Sequence, residues 1–255
     1  GALFACGLAA EGMKPYIAIY STFMQRCIDM IQHDAALQKL PVRFCMDRAG
    51  LSPDDGPTHH GLFDIAMIRS IPNIVFMQPK DEAEFVHMLR TMNHYQNGPT
   101  VIRYPRGCGA GTPVPAKAEI LPIGKAEVLQ AGQDVTLVSL GTMIGIARET
   151  ASLLEVRGYT VTLINARFIK PLDDECIRRH AARSRVVCTF EDHSISGGFN
   201  SAVLESLETG DVKTPVEAIA WPDQFIEHGS ESILRKKYGL TAEAALQKII
   251  PHLNS

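Results

Sequence analysis

Hydrophobic and polar positions along this chain repeat with a period of about 3.6 residues in some blocks and two in others, which indicates alternating helices and strands. In the first part the pattern predicts strands over 15–20, 42–46, 73–78 and 100–103. It predicts helices from the start of the chain to 11 and over 21–39, 62–68 and 81–95. Strands that alternate with helices are typical of a mainly parallel sheet covered by helices on both faces.

The same pattern returns in the second part of the chain. It predicts strands over 135–140, 160–165 and 186–190, and helices over 143–156, 173–182 and 199–207. The segment between the two parts, 105–118, is rich in Gly, Pro and Ala and shows little periodicity, which indicates a linker. We therefore expect two three-layer α/β/α units, with domains at 1–112 and 120–255 and a linker at 113–119.

Composition narrows the class of protein. A formal net charge of -3 gives no general basic surface for nucleic acid, and no apolar run approaches the roughly 20 residues that a membrane helix needs. The 6 cysteines form no CxxC pair, which suits free thiols in the cytoplasm, and the first residues lack the basic start of a signal peptide. Because the chain opens on Gly1 inside a helical pattern, we expect it to belong to a longer protein.

The loop Ser52-Pro-Asp-Asp-Gly-Pro-Thr-His-His-Gly61 concentrates carboxylates and imidazoles after a predicted strand. Open α/β sheets bind ligands at that edge, so the loop is a candidate site. A plain turn followed by a helix cap explains the same composition, and both interpretations stay open. The spacing of Cys45 and Asp47 from the two histidines does not fit a metal site, so no residue is assigned to a metal.

Charged and aromatic side chains at the ends of other predicted strands fall on the same edge of the sheet. If the sheet is parallel, this edge collects Tyr20, Arg48, Asp55, His59, Arg103, Tyr104 and Arg106. Guanidinium groups bind phosphate or carboxylate bidentately, so the cluster suits a substrate that carries such a group. A second candidate is the turn Ser196-Gly-Gly198 before a predicted helix, which fits either an anion site or a packing turn.

Several motifs follow one another in a fixed order. They are Ala18-Ile-Tyr-Ser-Thr-Phe-Met-Gln-Arg26, Asp47-Arg-Ala-Gly50, Asp55-Gly-Pro-Thr-His59, Arg103-Tyr-Pro-Arg-Gly107, Leu121-Pro-Ile-Gly-Lys125 and Arg167-Phe-Ile-Lys-Pro-Leu-Asp173. Together they resemble the 1-deoxy-D-xylulose-5-phosphate synthase family over essentially the whole chain. The third motif is the least specific, because transketolases share it, whereas the first and fourth point to the synthases.

The resemblance implies a thiamine-diphosphate enzyme that decarboxylates pyruvate and joins the two-carbon unit to glyceraldehyde 3-phosphate, for isoprenoid, thiamine and pyridoxal synthesis. It implies a pyrimidine-binding domain, truncated at its start, followed by a transketolase C-terminal-like domain. It also implies a homodimer. Family members begin with a further domain that holds the cofactor's diphosphate and Mg²⁺, and no motif for that site occurs in this sequence.

The resemblance also implies roles for individual residues. Phe23 would stack on the cofactor's aminopyrimidine, with Arg26 beside it, as an aromatic face suits a flat heterocycle. The residues implied to hold the acceptor's phosphate are Tyr20, Arg48 and Arg106. The implied catalytic residues, which orient substrates and move protons, are Asp55 and His59.

Without the preceding domain, and without the family's essential Glu, this chain is expected to be inactive alone. Glu11 cannot replace that Glu, because it lies at the wrong end of the first helix. Two alternatives stay open. The first is a split transketolase or 2-oxo-acid dehydrogenase β-type subunit, which shares the architecture but uses other substrates. The second is a non-catalytic dimerisation module.

Overall fold

The computed structural model describes residues 1–254, and its strands form two five-stranded sheets. In chain order the strands are β1 (Tyr16–Tyr20), β2 (Arg43–Asp47), β3 (Val75–Met77), β4 (Thr100–Arg103), β5 (Glu127–Gln130), β6 (Val135–Ser139), β7 (Val161–Asn165), β8 (Phe168–Lys170), β9 (Val186–Ser194) and β10 (Val216–Trp221). Each strand predicted from the sequence is present, whereas β5, β8 and β10 were not predicted.

Helices cover both sheets. They are α1 (Ala2–Ala10), α2 (Ser21–Met24), α3 (Ile28–Met30), α4 (Asp64–Arg69), α5 (Glu82–His94), α6 (Ile144–Glu155), α7 (Asp174–Ala181), α8 (Phe199–Thr209), α9 (Glu231–Tyr238) and α10 (Ala242–Leu253). Side-chain caps fix several starts, since Asp81 accepts from the amide of Glu84 and Asp173 from that of Cys176. Within residues 1–254 no helix has the length and apolar character needed to cross a membrane.

The first sheet has the order β1-β2-β4-β3-β8, and the second has the order β10-β9-β6-β7-β5. All neighbouring strands run parallel except β8 beside β3 and β5 beside β7. The predicted class, two mainly parallel α/β units, is therefore confirmed. However, β8 follows the predicted linker in sequence and still pairs with the first sheet, so the second part of the chain completes the sheet of the first.

A single hydrophobic cluster joins the two units. It includes Phe44 and Val101 from the first sheet together with Val138 and Ile164 from the second, all buried. Burying apolar surface favours the packed state at about 25 cal/mol per Å². Because the cluster continues across the contact between the units, we expect them to form one packed body.

A buried carboxylate fastens the units where β7 ends. Glu84, at the start of α5, is 2% exposed and lies 2.7 Å from the Arg167 guanidinium. Asn165 donates to both oxygens of the same carboxylate, and Lys80 lies 3.2 Å from it. A buried charge is tolerated when it is paired and hydrogen-bonded in this way.

The single helix predicted over 21–39 is wrong in detail. The chain there forms α2, a 3-10 turn at Gln25–Cys27, α3 and a π-helix at Ile31–Ala36. The wider π turn changes which side chains face inward, and Ile31 is fully buried in the core. Hydrophobic periodicity does not distinguish such a segment from a regular helix.

Arg103, which we expected at the ligand-binding edge, is instead fully buried. Its Nε donates to the Asp64 carboxylate at 3.0 Å, and the exposed fractions of the two side chains are 0% and 1%. Ser21 donates to the same carboxylate at 2.9 Å. The other Arg103 nitrogens donate to Gln78, to the carbonyl of Gly61 and to the carbonyl of Asp192. Arg103 therefore links the segments that surround the site, and its fully buried guanidinium is not exposed to a substrate.

Replacing Arg103 tests this role. Because Arg103→Gln leaves the Asp64 carboxylate buried without its counter-charge, we expect the free energy of unfolding to fall by about 3–5 kcal/mol. The matched control is Arg183→Gln, at an exposed position, which should change it by less than about 0.5 kcal/mol. Urea unfolding measures both, and equal losses in the two variants would contradict the structural role of Arg103.

Candidate functional site

The carboxyl ends of β1, β2 and β4 meet at one edge of the first sheet, as parallel pairing requires. Tyr20 ends β1, and Phe23 follows in α2. Arg48 comes directly after β2, and Arg106 lies three residues beyond the end of β4. The residues that the sequence assigned to a common edge therefore do come from strand ends that lie side by side.

Arg48 is held from three sides. Its guanidinium carbon lies 3.7 Å from the centroid of the Tyr20 ring, in cation–π geometry. One nitrogen donates to the Asp47 carboxylate at 2.7 Å, and Nε lies 3.6 Å from the carboxylate of Asp55. The backbone of Arg48 has φ of 55°, a left-handed conformation that a non-glycine residue seldom adopts. Such strain is common at functional positions.

The Asp55 carboxylate connects the two arginines. The Oδ2 atom lies 3.6 Å from Arg48 and 3.0 Å from Arg106, and Asp54 approaches Arg106 at 3.4 Å. Two guanidinium groups thus share carboxylate oxygens in a partly exposed setting. An oxygen of a bound phosphate could take the position of the Asp55 oxygen, since both are anionic acceptors for the same donors.

Aromatic rings line the neighbouring part of the site. The Tyr20 and Phe23 rings stack with centroids 5.5 Å apart, and His59 meets Phe23 edge-on at 5.4 Å. Thr58 hydrogen-bonds the Nδ1 of His59 at 2.9 Å. The Phe23 side chain is 40% exposed, so it offers aromatic surface to a flat ligand.

Arg26 is the one predicted site residue that is not part of this chain of contacts. It lies in the 3-10 turn after α2, and it is exposed. In the part of the chain that the structure describes, no ion pair links Arg26 to the cluster of Arg48, Asp55 and Arg106. Its role beside a cofactor stays a prediction.

The adjacent histidines have opposite environments. His60 is 4% exposed and accepts a hydrogen bond from the Ser52 amide at 3.0 Å, while its other nitrogen is 3.4 Å from the carbonyl of Glu227. Burial lowers the pKa of His60 below its usual 6.5. Only His59 lies at the site, and His60 supports the loop from within.

The second unit contributes contacts to this loop that the sequence pattern did not predict. Asp192, in β9, accepts from the backbone amide of Leu51 across 141 positions of sequence. A cavity of about 480 Å³ lies between the units beside the site, and Arg106, Tyr104, Asp192 and Arg235 line it. No local motif reveals such contacts, because they depend on the packing of β9 against the first unit.

The turn at Ser196-Gly-Gly198 is a packing turn rather than an open anion site. The buried Glu191 carboxylate accepts from the amides of Phe199 and Asn200 at 2.5 and 2.9 Å. Burial is the main reason why the pKa of Glu191 rises to about 8. The Glu191 carboxylate therefore occupies the backbone N–H donors at the start of α8 that an external anion would need.

Metal ligands are not grouped in the described part of the chain. No cluster of three or more His, Cys, Asp or Glu side chains that could hold a metal ion occurs within residues 1–254.

Comparisons with known proteins agree with the fold. Residues 2–110 match the family described as transketolase, pyrimidine binding domain, and residues 124–244 match the family described as transketolase, C-terminal domain. A solved structure titled split gene transketolase, inactive beta4 tetramer superposes with a TM-score of 0.88 at 30% identity. The match covers 98% of this chain and 80% of that one.

Curated relatives carry a more specific name. The 1-deoxy-D-xylulose-5-phosphate synthase of Methylacidiphilum infernorum is 52% identical over 99% of this chain, and that of Acidobacterium capsulatum is 52% identical over 98%. The match covers 40% of each relative, so this chain spans about two fifths of their length.

The burial of His60 predicts a pH effect on stability. Because the folded state holds the pKa of His60 below 6.5, the unfolded chain takes up its proton first as the pH falls, and stability is lost below that value. His60→Gln keeps an acceptor for the Ser52 amide and cannot titrate. Relative to this variant, the wild type should lose stability progressively as the pH falls from about 7.5 to about 5.5.

Urea unfolding at several pH values measures this difference, and His33→Gln, at an exposed position, is the matched control. A constant difference between the wild type and His60→Gln across the pH range would contradict the burial argument.

Proposed function

The chain belongs to the transketolase family, and on that basis we propose that it is part of a 1-deoxy-D-xylulose-5-phosphate synthase. The proposed reaction is the decarboxylation of pyruvate and the joining of its two-carbon fragment to glyceraldehyde 3-phosphate. The principal structural support is the pair of guanidinium groups at Arg48 and Arg106, which converge on one anionic position now filled by Asp55. The names and identities of the curated relatives support the same reaction.

The phosphate of the acceptor would bind between these two arginines. A phosphate dianion carries more charge than the Asp55 carboxylate and offers more oxygens, so it competes well for the same N–H donors. The Tyr20 ring holds the Arg48 guanidinium at 3.7 Å and limits its movement. We propose that phosphate entry moves the Asp55 carboxylate off Arg106 and leaves it beside the reacting carbons.

The residues present fit one part of thiamine diphosphate. The exposed Phe23 ring, with Tyr20 stacked behind it, suits the flat aminopyrimidine, and Arg26 follows in the next turn of the chain. When bound, this cofactor supplies the carbanion chemistry of the reaction. We propose that its diphosphate and Mg²⁺ are held by a domain outside this chain.

His59 is the group suited to proton transfer. Its ring touches Phe23, so it borders the proposed position of the cofactor, and Thr58 fixes the orientation of Nδ1. An imidazole exchanges protons near neutral pH, and its Nε2 is free of any hydrogen bond within residues 1–254. We propose that His59 delivers or removes the proton on the acceptor carbonyl, while Asp55 orients the substrate.

Further parts of the proposal concern the whole protein. We propose domain boundaries at 1–112 and 120–255 with a linker at 113–119, a homodimer as the assembly, and a cytoplasmic location. The neighbour's title describes a tetramer, which supports an oligomer in this family. Because the curated relatives are longer than this chain, we propose that the chain alone is inactive.

A split transketolase-type subunit is the second candidate. The solved structure with that title covers this chain almost completely, though at 30% identity against 52% for the synthases. The donor substrate separates the candidates, because transketolase-type chemistry uses a ketose phosphate, and a 2-oxo-acid dehydrogenase β subunit passes its product to a lipoyl group. A non-catalytic dimerisation module would use no donor at all.

Carbon dioxide release from pyruvate tests the proposal. It is measured with thiamine diphosphate and Mg²⁺, with and without glyceraldehyde 3-phosphate, for this chain alone and for the complete protein that contains it. Acceptor-stimulated release by the complete protein only is the expected result. No release from pyruvate in either form would contradict the synthase assignment.

Arg106→Ala in the complete protein separates phosphate binding from donor binding. Because Arg106 would contact only the acceptor's phosphate, we expect the KM for glyceraldehyde 3-phosphate to rise at least about tenfold with little change for pyruvate. Arg90→Ala, at an exposed position on α5, is the matched control. Equal rises for both substrates would contradict the phosphate assignment.

His59→Ala tests the proton-transfer role. We expect kcat to fall by about 10²–10⁴-fold, the usual contribution of a general acid or base, while the melting temperature stays close to that of the wild type. A large fall in melting temperature would instead indicate that His59 supports the loop as His60 does.

A further inference from the structure

We infer that Asp192, in the second unit, is a positioning residue for the site loop, which we define as residues 50–61. This inference rests on the proposed function, because the site loop contains Asp55 and His59 and begins two residues after Arg48. A carboxylate from the second unit thereby sets the geometry of the proposed phosphate site in the first. Asp192 acts through the position of the loop and does not contact substrate.

The site loop is closed at its base. The amide of Gly50 donates to the carbonyl of Gly61 at 2.9 Å, and the amide of Gly61 donates back to Gly50 at 2.8 Å. Between these two hydrogen bonds the chain departs from the sheet and returns. The orientation of the base therefore determines where Asp55 and His59 lie relative to Arg48.

The Asp192 carboxylate lies against this base. Its Oδ1 accepts from the amide of Leu51 at 3.3 Å, and a β-carbon at Gly50 would overlap the carboxylate. Gly50 has φ of 84°, in the left-handed region that favours glycine. A residue without a side chain at this position allows the close approach of the carboxylate to the backbone.

The second unit fixes the carboxylate itself. Trp221 donates its Nε1–H to Oδ1 at 2.6 Å, and Arg235 lies 3.1 Å from Oδ2. The Asp192 side chain is buried, and the backbone carbonyl of Asp192 accepts from Arg103 at 3.2 Å. Because these contacts hold the Asp192 carboxylate in one orientation, the position of β9 determines the position of the Leu51 amide and hence of the site loop.

The next residues of β9 hold the far side of the base. The amide of Ser194 donates to the carbonyl of Leu62 at 2.9 Å, and His193 accepts from the amide of Ala66 at 3.3 Å. Three consecutive residues of one strand thus contact the start of the site loop at Leu51 and the segment that follows the loop, at Leu62 and Ala66. Among the hydrogen bonds of the described residues, the Asp192 side chain accepts from an amide of the site loop itself, whereas His193 and Ser194 bond to residues beyond it.

Asp192→Asn in the complete protein tests the inference. The amide replaces one acceptor oxygen with a donor, so an N–H must face either Arg235 or the Leu51 and Trp221 donors. We expect the KM for glyceraldehyde 3-phosphate to rise about tenfold, with the KM for pyruvate changed less than about twofold. Asp223→Asn, the same change at an exposed position in the second unit, should leave both constants unchanged.

Hydrogen exchange gives a readout that does not need activity. In Asp192→Asn the amides of the site loop should exchange about tenfold faster, while those of β6 and β7 keep their wild-type rates. A general loss of stability would speed exchange throughout and would overturn the inference. If Asp192→Asn does not fold, Arg235→Gln is used in its place, because it leaves the carboxylate without its counter-charge and should loosen the same loop.

The two proposals fail in different ways. A wild type without acceptor-stimulated release of carbon dioxide contradicts the synthase assignment, and the exchange rates then decide the positioning claim alone. A wild type with that activity whose Asp192→Asn variant shows unchanged KM values and unchanged loop exchange overturns the positioning claim alone.

Discussion

The buried ion pair between Arg103 and Asp64 is the interaction on which the site depends most. Arg103 ends the strand β4, Asp64 begins the helix α4, and Ser21 at the start of α2 donates to the same carboxylate. The Nη2 group of Arg103 donates to the carbonyl of Gly61 at the base of the site loop and to the carbonyl of Asp192 in β9. The Arg103 side chain therefore connects the first unit, the second unit and the base of the site loop. A buried pair of this kind adds little net stability but is costly to break, so it favours a single arrangement of its neighbours.

The site itself has a different electrostatic character. The two arginines near the surface are paired with Asp47 at the end of β2 and with Asp54 and Asp55 of the site loop, so three carboxylates surround two guanidinium groups. These pairs are partly exposed and are therefore weaker than the buried one. A stronger anion can replace a carboxylate here, whereas it cannot do so at Arg103. This contrast supports a structural role for Arg103 and the proposed ligand-binding role for Arg106, although both lie on one segment, 103–106.

The sequence predicted the parts of this arrangement that depend on local pattern. Alternating periodicity gave the parallel strands, and parallel strands bring Tyr20, Arg48 and Arg106 to one edge by geometry alone. Three features depend on long-range packing and were not predicted: the pairing of β8 with β3, the burial of Arg103, and the contact of Asp192 with Leu51. Each joins segments far apart in sequence, and no spacing rule identifies such partners. The motif resemblance did assign Arg106 rather than Arg103 to phosphate, which periodicity could not do.

We propose that the paired arginines Arg48 and Arg106 at the strand edge recognise a phosphate. Calorimetric titration of the complete protein with glyceraldehyde 3-phosphate and with unphosphorylated glyceraldehyde tests it most directly. The account predicts that the phosphorylated aldehyde binds at least about tenfold more tightly and that added salt weakens its binding, since the recognition is ionic. Equal affinity for the two aldehydes, or binding that does not respond to salt, would contradict it.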